Sequence, residues 1–346
     1  MSTSHTNSTQ TISFSISDGV AIPYIGRFWL FLISNILSLI CSLFVLFQYL
    51  FDLTLRRALH NHVIIVILIV CIIAELTTMP FMMYFYLNGV VWIQSPTFCM
   101  IWKFFDSATY TTVPKLVGWS SVERHIIIFH NQWISTKKKR FLIHYLPIVL
   151  IVIYGIVLYG VTTPMNDCHR RFNYKSVYCS YYSCIYDSVT YSLYEFMSGG
   201  VLSSACIGFG SIFLIVRIAL QKHRLQQQMQ WRKYRKMVIQ LLSISMIFFI
   251  FYLPPILLAI SQKLGVPSNV GADYSRYANL FSSYIILLFP FACISTLPKL
   301  KTLIKNTFRC FHWRQIHVIT PLEMVGRTLT VNPINRQKKT TNSKAL

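Results

Sequence analysis

The chain has 346 residues, of which 54% are hydrophobic and only 12% are charged. A soluble domain carries about 25% charged residues, so this composition excludes an ordinary soluble protein. The formal net charge of +22 does not indicate a nucleic-acid-binding protein, because the basic residues lie in short segments beside apolar ones. We therefore expect a multi-pass membrane protein whose basic segments contact membrane lipids or an acidic partner.

Seven apolar segments follow a polar N-terminal tail, and each is long enough for a helix that crosses a bilayer. They are predicted at 25–50, 58–86, 97–129, 142–163, 193–220, 237–261 and 277–297. The third is the least apolar, because Lys103, Asp106, Pro114 and Lys115 interrupt it. The predicted fold is an all-α bundle of seven transmembrane helices over residues 25–298.

The distribution of lysine and arginine predicts the orientation. Most of the 32 basic residues follow the first, third, fifth and seventh spans, for example Lys137-Lys138-Lys139-Arg140. Cytoplasmic loops carry such an excess, so the N-terminus is expected outside. Residues 1–24 then form an extracellular tail, without the features of a removable signal peptide. Asn7-Ser8-Thr9 in this tail is an N-glycosylation acceptor pattern.

The segment after the last span alternates apolar and basic residues at helical spacing, which predicts a short cytoplasmic amphipathic helix over 299–313. Cys310 in this segment is a candidate for lipidation, and a free interfacial thiol is the alternative. The remaining residues, 314–346, are polar and predict a disordered cytoplasmic tail.

Four of the nine cysteines fall on the predicted outer face, where disulfides persist. They are Cys99, Cys168, Cys179 and Cys184. Four cysteines allow three pairings. We favour Cys99–Cys184, which would tie the third span to the loop before the fifth, together with Cys168–Cys179 inside that loop.

A charged triplet, Glu123-Arg124-His125, lies at the inner end of the third span. Arg124 is 25 residues after Cys99, which corresponds to roughly 37 Å of helix and is enough to cross a bilayer. Charged residues at such a depth are costly unless a partner or water satisfies them, so the triplet is a candidate functional site.

The chain resembles the rhodopsin-like G-protein-coupled receptors over about residues 25–312. The matching residues, in the order of the family, are Asn35, Trp92, Cys99, Glu123-Arg124-His125, Phe248 with Tyr252-Leu253-Pro254, Pro290, and the segment from Lys299 to Phe311. The chain also departs from the family. Cys71 replaces its second-span aspartate, Phe289 replaces the asparagine before the seventh-span proline, and Cys293 replaces a tyrosine. The pattern is that of a divergent, invertebrate-type member.

The resemblance implies a receptor of the plasma membrane that binds a ligand in an outer-face cavity and activates a heterotrimeric G protein. It needs no cofactor, metal or catalytic chemistry. In the resting state Arg124 would pair with Glu123, since its guanidinium offers five donors in a planar fork. Movement of the sixth span at Pro254-Pro255 would free Arg124 for the G protein. Phe248, Pro254 and Pro290 are the candidate switch residues.

Asp106 lies two turns below Cys99 on the face that would line the cavity. The resemblance implies that it binds a cationic group of a small amine or a peptide. The alternative is that Asp106 only bonds to neighbouring helices, and Lys103 could compete as its partner. Five further residues are candidates for lining the cavity: Trp102, Phe105, Tyr110, Tyr252 and Asn279.

A different class of function remains open, a seven-span transporter or channel with Glu75, Asp106 and Lys115 as pathway charges. A Glu75–Lys115 pair is a further hypothesis. Transporters often show inverted repeats, and none is evident in the sequence. The sequence also lacks a glycine-rich phosphate loop, a metal-ligand cluster and a nucleophile–base arrangement, so we do not expect an enzyme. His60-Asn61-His62 is interpreted as an interfacial polar cluster rather than a metal site.

Overall fold

The computed structural model of the chain describes residues 20–164, 172–180, 184–225, 228–267 and 269–294. Within these ranges, nothing is described of the side chains of residues 131, 184, 218–219 and 221–237. The predictions for Asn7, Cys168 and Cys310, and for the segments 299–313 and 314–346, lie outside the described residues and stay predictions.

The described residues form helices joined by turns, with no strand among them. The α-helices are α1 (Tyr24–Phe51), α2 (Leu53–Arg57), α3 (His60–Leu76), α4 (Thr78–Asn88), α5 (Pro96–Phe129), α6 (Lys137–Arg140), α7 (Leu146–Thr162), α8 (Val189–Glu195), α9 (Leu202–Leu225), α10 (Gln228–Phe251), α11 (Leu253–Lys263), α12 (Ala272–Phe281) and α13 (Tyr284–Ile294). Each of the seven segments predicted from the sequence overlaps one of these helices or a consecutive group of them.

Five stretches of the described chain are long and apolar enough to cross a membrane. They are Tyr24–Phe51, His60–Asn88, Lys137–Thr162, Val189–Arg217 and Val238–Lys263. A sixth arises if α12 and α13, which are bent by 48° at their junction, form one span. The helix α5 is not among these stretches, because its sequence is less apolar. This agrees with the interruption of the third predicted span by Lys103, Asp106 and Lys115. The described residues therefore indicate an all-α protein that is embedded in a membrane.

Several of these stretches are interrupted, and proline explains two of the interruptions. Thr77 separates α3 from α4, three residues before Pro80, and Tyr252 separates α10 from α11, two residues before Pro254. A proline lacks the N–H that would bond one turn back, so the helix cannot continue regularly through that turn. By contrast, Pro290 lies inside α13, and the bend of the last stretch falls before it, at Ser282-Ser283.

Two π-helical turns, Phe141–Tyr145 and Phe196–Val201, connect α6 to α7 and α8 to α9. A π turn rotates the side chains that follow it and is often found at functional sites. His144 lies in the first turn, and Glu195 directly precedes the second. Both residues belong to the clusters described below.

The longest helix, α5, lies at the centre of the bundle and packs against α3, α7 and α9. Its first turn is capped by Ser95, whose hydroxyl accepts a hydrogen bond from the Phe98 N–H, and Pro96 occupies the first helical position. With 34 residues, α5 is roughly 50 Å long. We call the end of the bundle near Cys99 the disulfide end and the opposite end the Arg124 end.

At the disulfide end, Cys99 is bonded to Cys179 with a Cα–Cα distance of 5.9 Å. The predicted pairings Cys99–Cys184 and Cys168–Cys179 are therefore wrong. The backbone around Cys179 explains why this cysteine is the partner of Cys99. The Asn173 N–H donates to the Cys179 carbonyl at 2.9 Å, and the Val91 N–H donates to the Tyr174 carbonyl at 3.0 Å. These bonds hold the loop 172–180 over the start of α5.

Candidate functional site

A cavity of about 680 Å³ opens at the disulfide end, between the helices and the loop 172–180. Four of the six residues predicted to line it do so: Asp106, Tyr110, Tyr252 and Asn279. The other two, Trp102 and Phe105, are not among its lining residues. Trp102 is fully buried, and its ring lies 4.9 Å from that of Tyr178, so it supports the wall from behind.

Asp106 is bonded on both carboxylate oxygens. One oxygen accepts from the Lys103 ammonium at 3.1 Å, and the other accepts from the Tyr178 hydroxyl at 2.9 Å. The Lys103 nitrogen also lies 4.8 Å from the centre of the Tyr178 ring, where the negative face of the ring attracts a cation. The expected competition from Lys103 is thus realised, and a ligand cation would have to displace it.

Tyr178 was not found by sequence reasoning, because it reaches Asp106 from a loop 72 residues further along the chain. Burial, and then the neighbouring Asp106 carboxylate, raises the pKa of Tyr178 well above its usual range, so its hydroxyl keeps the proton that it donates. Tyr178, Cys179 and Ser180 all have positive φ, between 49° and 56°. This conformation is unfavourable for residues other than glycine, and the surrounding bonds maintain it at the cavity.

A second acidic side chain, Glu195 of α8, lines the same cavity. It is 7% exposed, and one oxygen accepts a hydrogen bond from the Tyr159 hydroxyl of α7. Its other oxygen, Oε2, has no hydrogen-bond partner among the described residues. Sequence reasoning missed Glu195 because it stands near the start of the predicted fifth span, where a charge reaches water easily. Glu195 could have been identified as a candidate from the sequence, because it is a charged residue among apolar neighbours.

Tyr110 of α5 and Tyr252 pack against each other at the base of the cavity, with ring centroids 5.5 Å apart. The Tyr252 hydroxyl donates to the Gly199 carbonyl at 3.2 Å. Phe248, one turn before Tyr252, is buried and packs edge-on against it at 5.7 Å. These contacts connect α5, the π turn before α9 and the α10–α11 break at one level of the bundle.

At the other end of α5, the predicted Glu123–Arg124 pair is wrong. One guanidinium nitrogen of Arg124 donates to the side-chain oxygen of Gln240 in α10 at 3.1 Å, while Nε and Nη1 have no partner among the described residues. Arg124 is 1% exposed, so it does not extend to the bundle surface. Its side chain runs across to α10 instead of back to its chain neighbour.

Glu123 is bonded to His144, whose Nδ1–H donates to the carboxylate, and both side chains are fully buried. The other ring nitrogen of His144 lies 3.1 Å from Nδ1 of His62, and Nε2 of His62 donates to the Arg56 carbonyl at 2.8 Å. His62 thus belongs to a polar chain from α2 to α5. No group of His, Cys, Asp and Glu in the described part of the chain is placed to hold a metal ion.

His125 faces a different neighbour from the other two residues of the triplet. Its Nε2 accepts a hydrogen bond from Arg217 of α9 at 3.0 Å, and its ring lies 4.8 Å from that of Phe213. The three consecutive residues therefore contact three different helical segments: the π turn before α7, α10 and α9.

The predicted Glu75–Lys115 pair is also wrong. Glu75 is fully buried and accepts hydrogen bonds from Ser38 and Ser42 of α1. The Lys115 nitrogen lies 4.5 Å from the centre of the Tyr154 ring. Of the three charges assigned to a transport pathway, Asp106 lines the described cavity, and Glu75 and Lys115 are not among its lining residues. The described residues thus do not bring the three charges together.

No model of a known protein family matches the sequence, and no curated protein shows a significant similarity to it.

Proposed function

We propose that the chain is a ligand-activated receptor of the rhodopsin-like, G-protein-coupled type. In this proposal it crosses the plasma membrane seven times, with α5 as the third span and α12–α13 as the seventh. The N-terminus and the disulfide end face outward. The cavity at the disulfide end binds the ligand, a small amine or the basic group of a peptide, and the Arg124 end binds a heterotrimeric G protein.

The observation that carries the proposal is that the same helices meet at both ends of the bundle. At the cavity, Tyr110 of α5 contacts Tyr252, the residue directly after α10. At the other end, Arg124 of α5 bonds to Gln240 of α10. Tyr110 and Arg124 are 14 residues apart, roughly 21 Å along the helix. A ligand that wedges between the two tyrosines would therefore rotate or tilt α10 against α5 and strain the Arg124–Gln240 bond.

The break at Tyr252 is a hinge about which α10 could move relative to α11. The Tyr252 N–H still donates to the Phe248 carbonyl at 3.0 Å, but the two prolines that follow, Pro254 and Pro255, have no N–H to offer. The helix is thus weakest just beside the cavity. Phe248, buried one turn away, would have to repack when α10 moves.

The positive charge at the Arg124 end supports a cytoplasmic partner on that side. Lys137-Lys138-Lys139-Arg140 forms α6, at the start of the stretch that contains α7. Under the positive-inside rule this end faces the cytoplasm, where it would meet anionic lipid and an acidic partner surface. The fully buried Arg124 becomes available to that partner only when its bond to Gln240 opens.

The experiment is a ligand-panel screen of cells that express the chain together with a G-protein dissociation sensor. We expect at least one extracellular ligand to dissociate a G protein in these cells and not in cells without the chain. A ligand that instead drives uptake or current, with no response of any G-protein sensor, would contradict the proposal and favour the transporter or channel.

A further inference from the structure

We propose that Glu195, and not Asp106, binds the cationic group of the ligand, and that the ligand is a small organic ammonium compound. This inference rests on the proposed function, since it names the ligand class of the same cavity.

The two carboxylates that line the cavity differ in how they are bonded. Both oxygens of Asp106 already accept hydrogen bonds, from Lys103 and from Tyr178. Glu195 accepts from Tyr159 and is also hydrogen-bonded to Tyr186, but its Oε2 is buried without a partner among the described residues. A buried carboxylate oxygen without a donor is costly. A ligand that supplies an N–H or a positive charge at Oε2 therefore gains more than one that must displace Lys103.

The basic residues that line the cavity are engaged elsewhere. Lys103 is held by Asp106, and Arg276 donates to Asp273 at 2.9 Å. Arg27 donates to backbone carbonyls near the start of α1. In the described structure, none of these cations is bonded to Glu195. The unpartnered Oε2 therefore suits a cation that comes from outside the protein.

Lys115 is an internal competitor for Glu195, because the two charges interact. Its nitrogen lies over the Tyr154 ring and 3.6 Å from the position that a Cβ of Gly199 would occupy. It forms no hydrogen bond among the described residues and is not part of the cavity lining. Lys115 thus leaves Oε2 of the cavity-lining Glu195 without a hydrogen bond.

The surroundings of Glu195 are aromatic, which suits an ammonium group. Tyr159, Tyr186, Phe196, Tyr110 and Tyr252 all line the cavity with it. The Tyr186 hydroxyl is hydrogen-bonded to the Glu195 carboxylate. Burial, and then the charge of that carboxylate, raises the pKa of Tyr186, so its ring lies beside Glu195 in the neutral form. Aromatic faces attract cations, and cages of aromatic rings recognise alkylated ammonium groups.

The size of the cavity favours a small molecule over a peptide. Its volume of about 680 Å³ falls within the usual range of small-molecule sites, roughly 300–1,000 Å³. The loop 172–180, tied to α5 through Cys179, covers part of its opening and narrows access for a longer chain.

The test uses the purified full-length chain in detergent, with phenethylamine as the cationic probe and 2-phenylethanol as its neutral analogue. Binding is measured by titrating the shift of the thermal unfolding midpoint. We expect phenethylamine to stabilise the wild-type protein and 2-phenylethanol not to. Glu195→Gln should weaken the probe by about thirtyfold or more, as loss of one partner of a buried charge pair does. Asp106→Asn should leave its affinity nearly unchanged.

Glu195→Asp serves as a second variant if Glu195→Gln cannot be purified, and it should bind the probe with intermediate affinity because the carboxylate is withdrawn by one methylene. Loss of binding in Asp106→Asn with full binding in Glu195→Gln or Glu195→Asp would overturn the assignment. Equal stabilisation by the amine and the alcohol, or by neither, would overturn the ammonium class. None of these results depends on G-protein exchange. The binding test can therefore fail or succeed independently of the G-protein sensor experiment that tests the proposed function.

Discussion

Glu123 and His144 are hydrogen-bonded to each other although 21 residues separate them, and neither side chain is exposed. Arg124, the immediate neighbour of Glu123, bonds to Gln240 instead. The two charges of the triplet are thus held by different parts of the bundle. Glu123 is fixed by the π turn before α7, and Arg124 is fixed by α10. The contact that a movement of α10 would break is therefore Arg124–Gln240.

The first prediction concerns that contact. Gln240→Ala removes the acceptor of Arg124, and a hydrogen bond to a charged group contributes about 1.5–3 kcal/mol. We expect ligand-independent guanine-nucleotide exchange on the partner G protein to rise several-fold. Gln240→Glu replaces the amide by a carboxylate, strengthens the bond and should lower the basal rate. Basal rates that do not differ among the two variants and the wild type would contradict a holding role for Gln240.

The second prediction concerns the buried Glu123–His144 bond. His144→Leu leaves the Glu123 carboxylate buried without a donor, which should cost about 3–5 kcal/mol of unfolding free energy. The double variant His144→Leu/Glu123→Gln removes the stranded charge and should recover part of the loss. Thermal unfolding of the purified variants measures both. A double variant that is less stable than His144→Leu would contradict this account of the pair.

The third prediction concerns the disulfide. Cys99→Ser and Cys179→Ser should reduce surface delivery to the same extent, and the double variant should be no worse, because all three lose one bond. Mass spectrometry of the non-reduced protein should find a peptide that joins Cys99 to Cys179. A peptide that joins Cys99 to Cys184 would restore the pairing expected from the sequence.

The fourth prediction concerns the close approach of α7 to α5. A Cβ on Gly155 would lie 2.2 Å from Oγ1 of Thr112, whereas a Cβ on Gly160 would have its nearest neighbour, in Phe104, at 3.8 Å. Gly155→Ala should therefore cost about 1–3 kcal/mol of stability through overpacking. Gly160→Ala on the same helix is the control and should be neutral or stabilising by up to about 1 kcal/mol, since alanine favours the helix. Equal midpoints of unfolding would contradict tight packing at Gly155.

Features that lie along one helix could be predicted from the sequence. The spacing from Cys99 to Asp106 and on to Arg124 depends only on the regular rise of α5. It places the acid at the cavity and the arginine at the other end. The apolar segments likewise predicted where the helices lie, because a span needs about twenty apolar residues.

Contacts between helices could not be predicted in this way. One partner of Asp106, Tyr178, comes from a loop, and the partner of Glu123 comes from a π turn that contains His144. Cys99 had three candidate partners at comparable chain distances, and the backbone bonds of the loop 172–180 decide among them. The rotation of each helix about its axis sets these contacts, and sequence spacing does not fix it.

Guanine-nucleotide exchange by the Arg124→Ala variant tests the central claim most directly. The purified chain is reconstituted with a panel of heterotrimeric G proteins, and exchange is compared with the wild type at equal amounts of reconstituted protein. Arg56→Ala is the control, because the Arg56 side chain is exposed and only the Arg56 backbone carbonyl, which the substitution keeps, contacts His62. We expect Arg124→Ala to abolish the exchange that the wild type stimulates, and Arg56→Ala to leave it near the wild-type level. Unchanged exchange by Arg124→Ala would contradict the account.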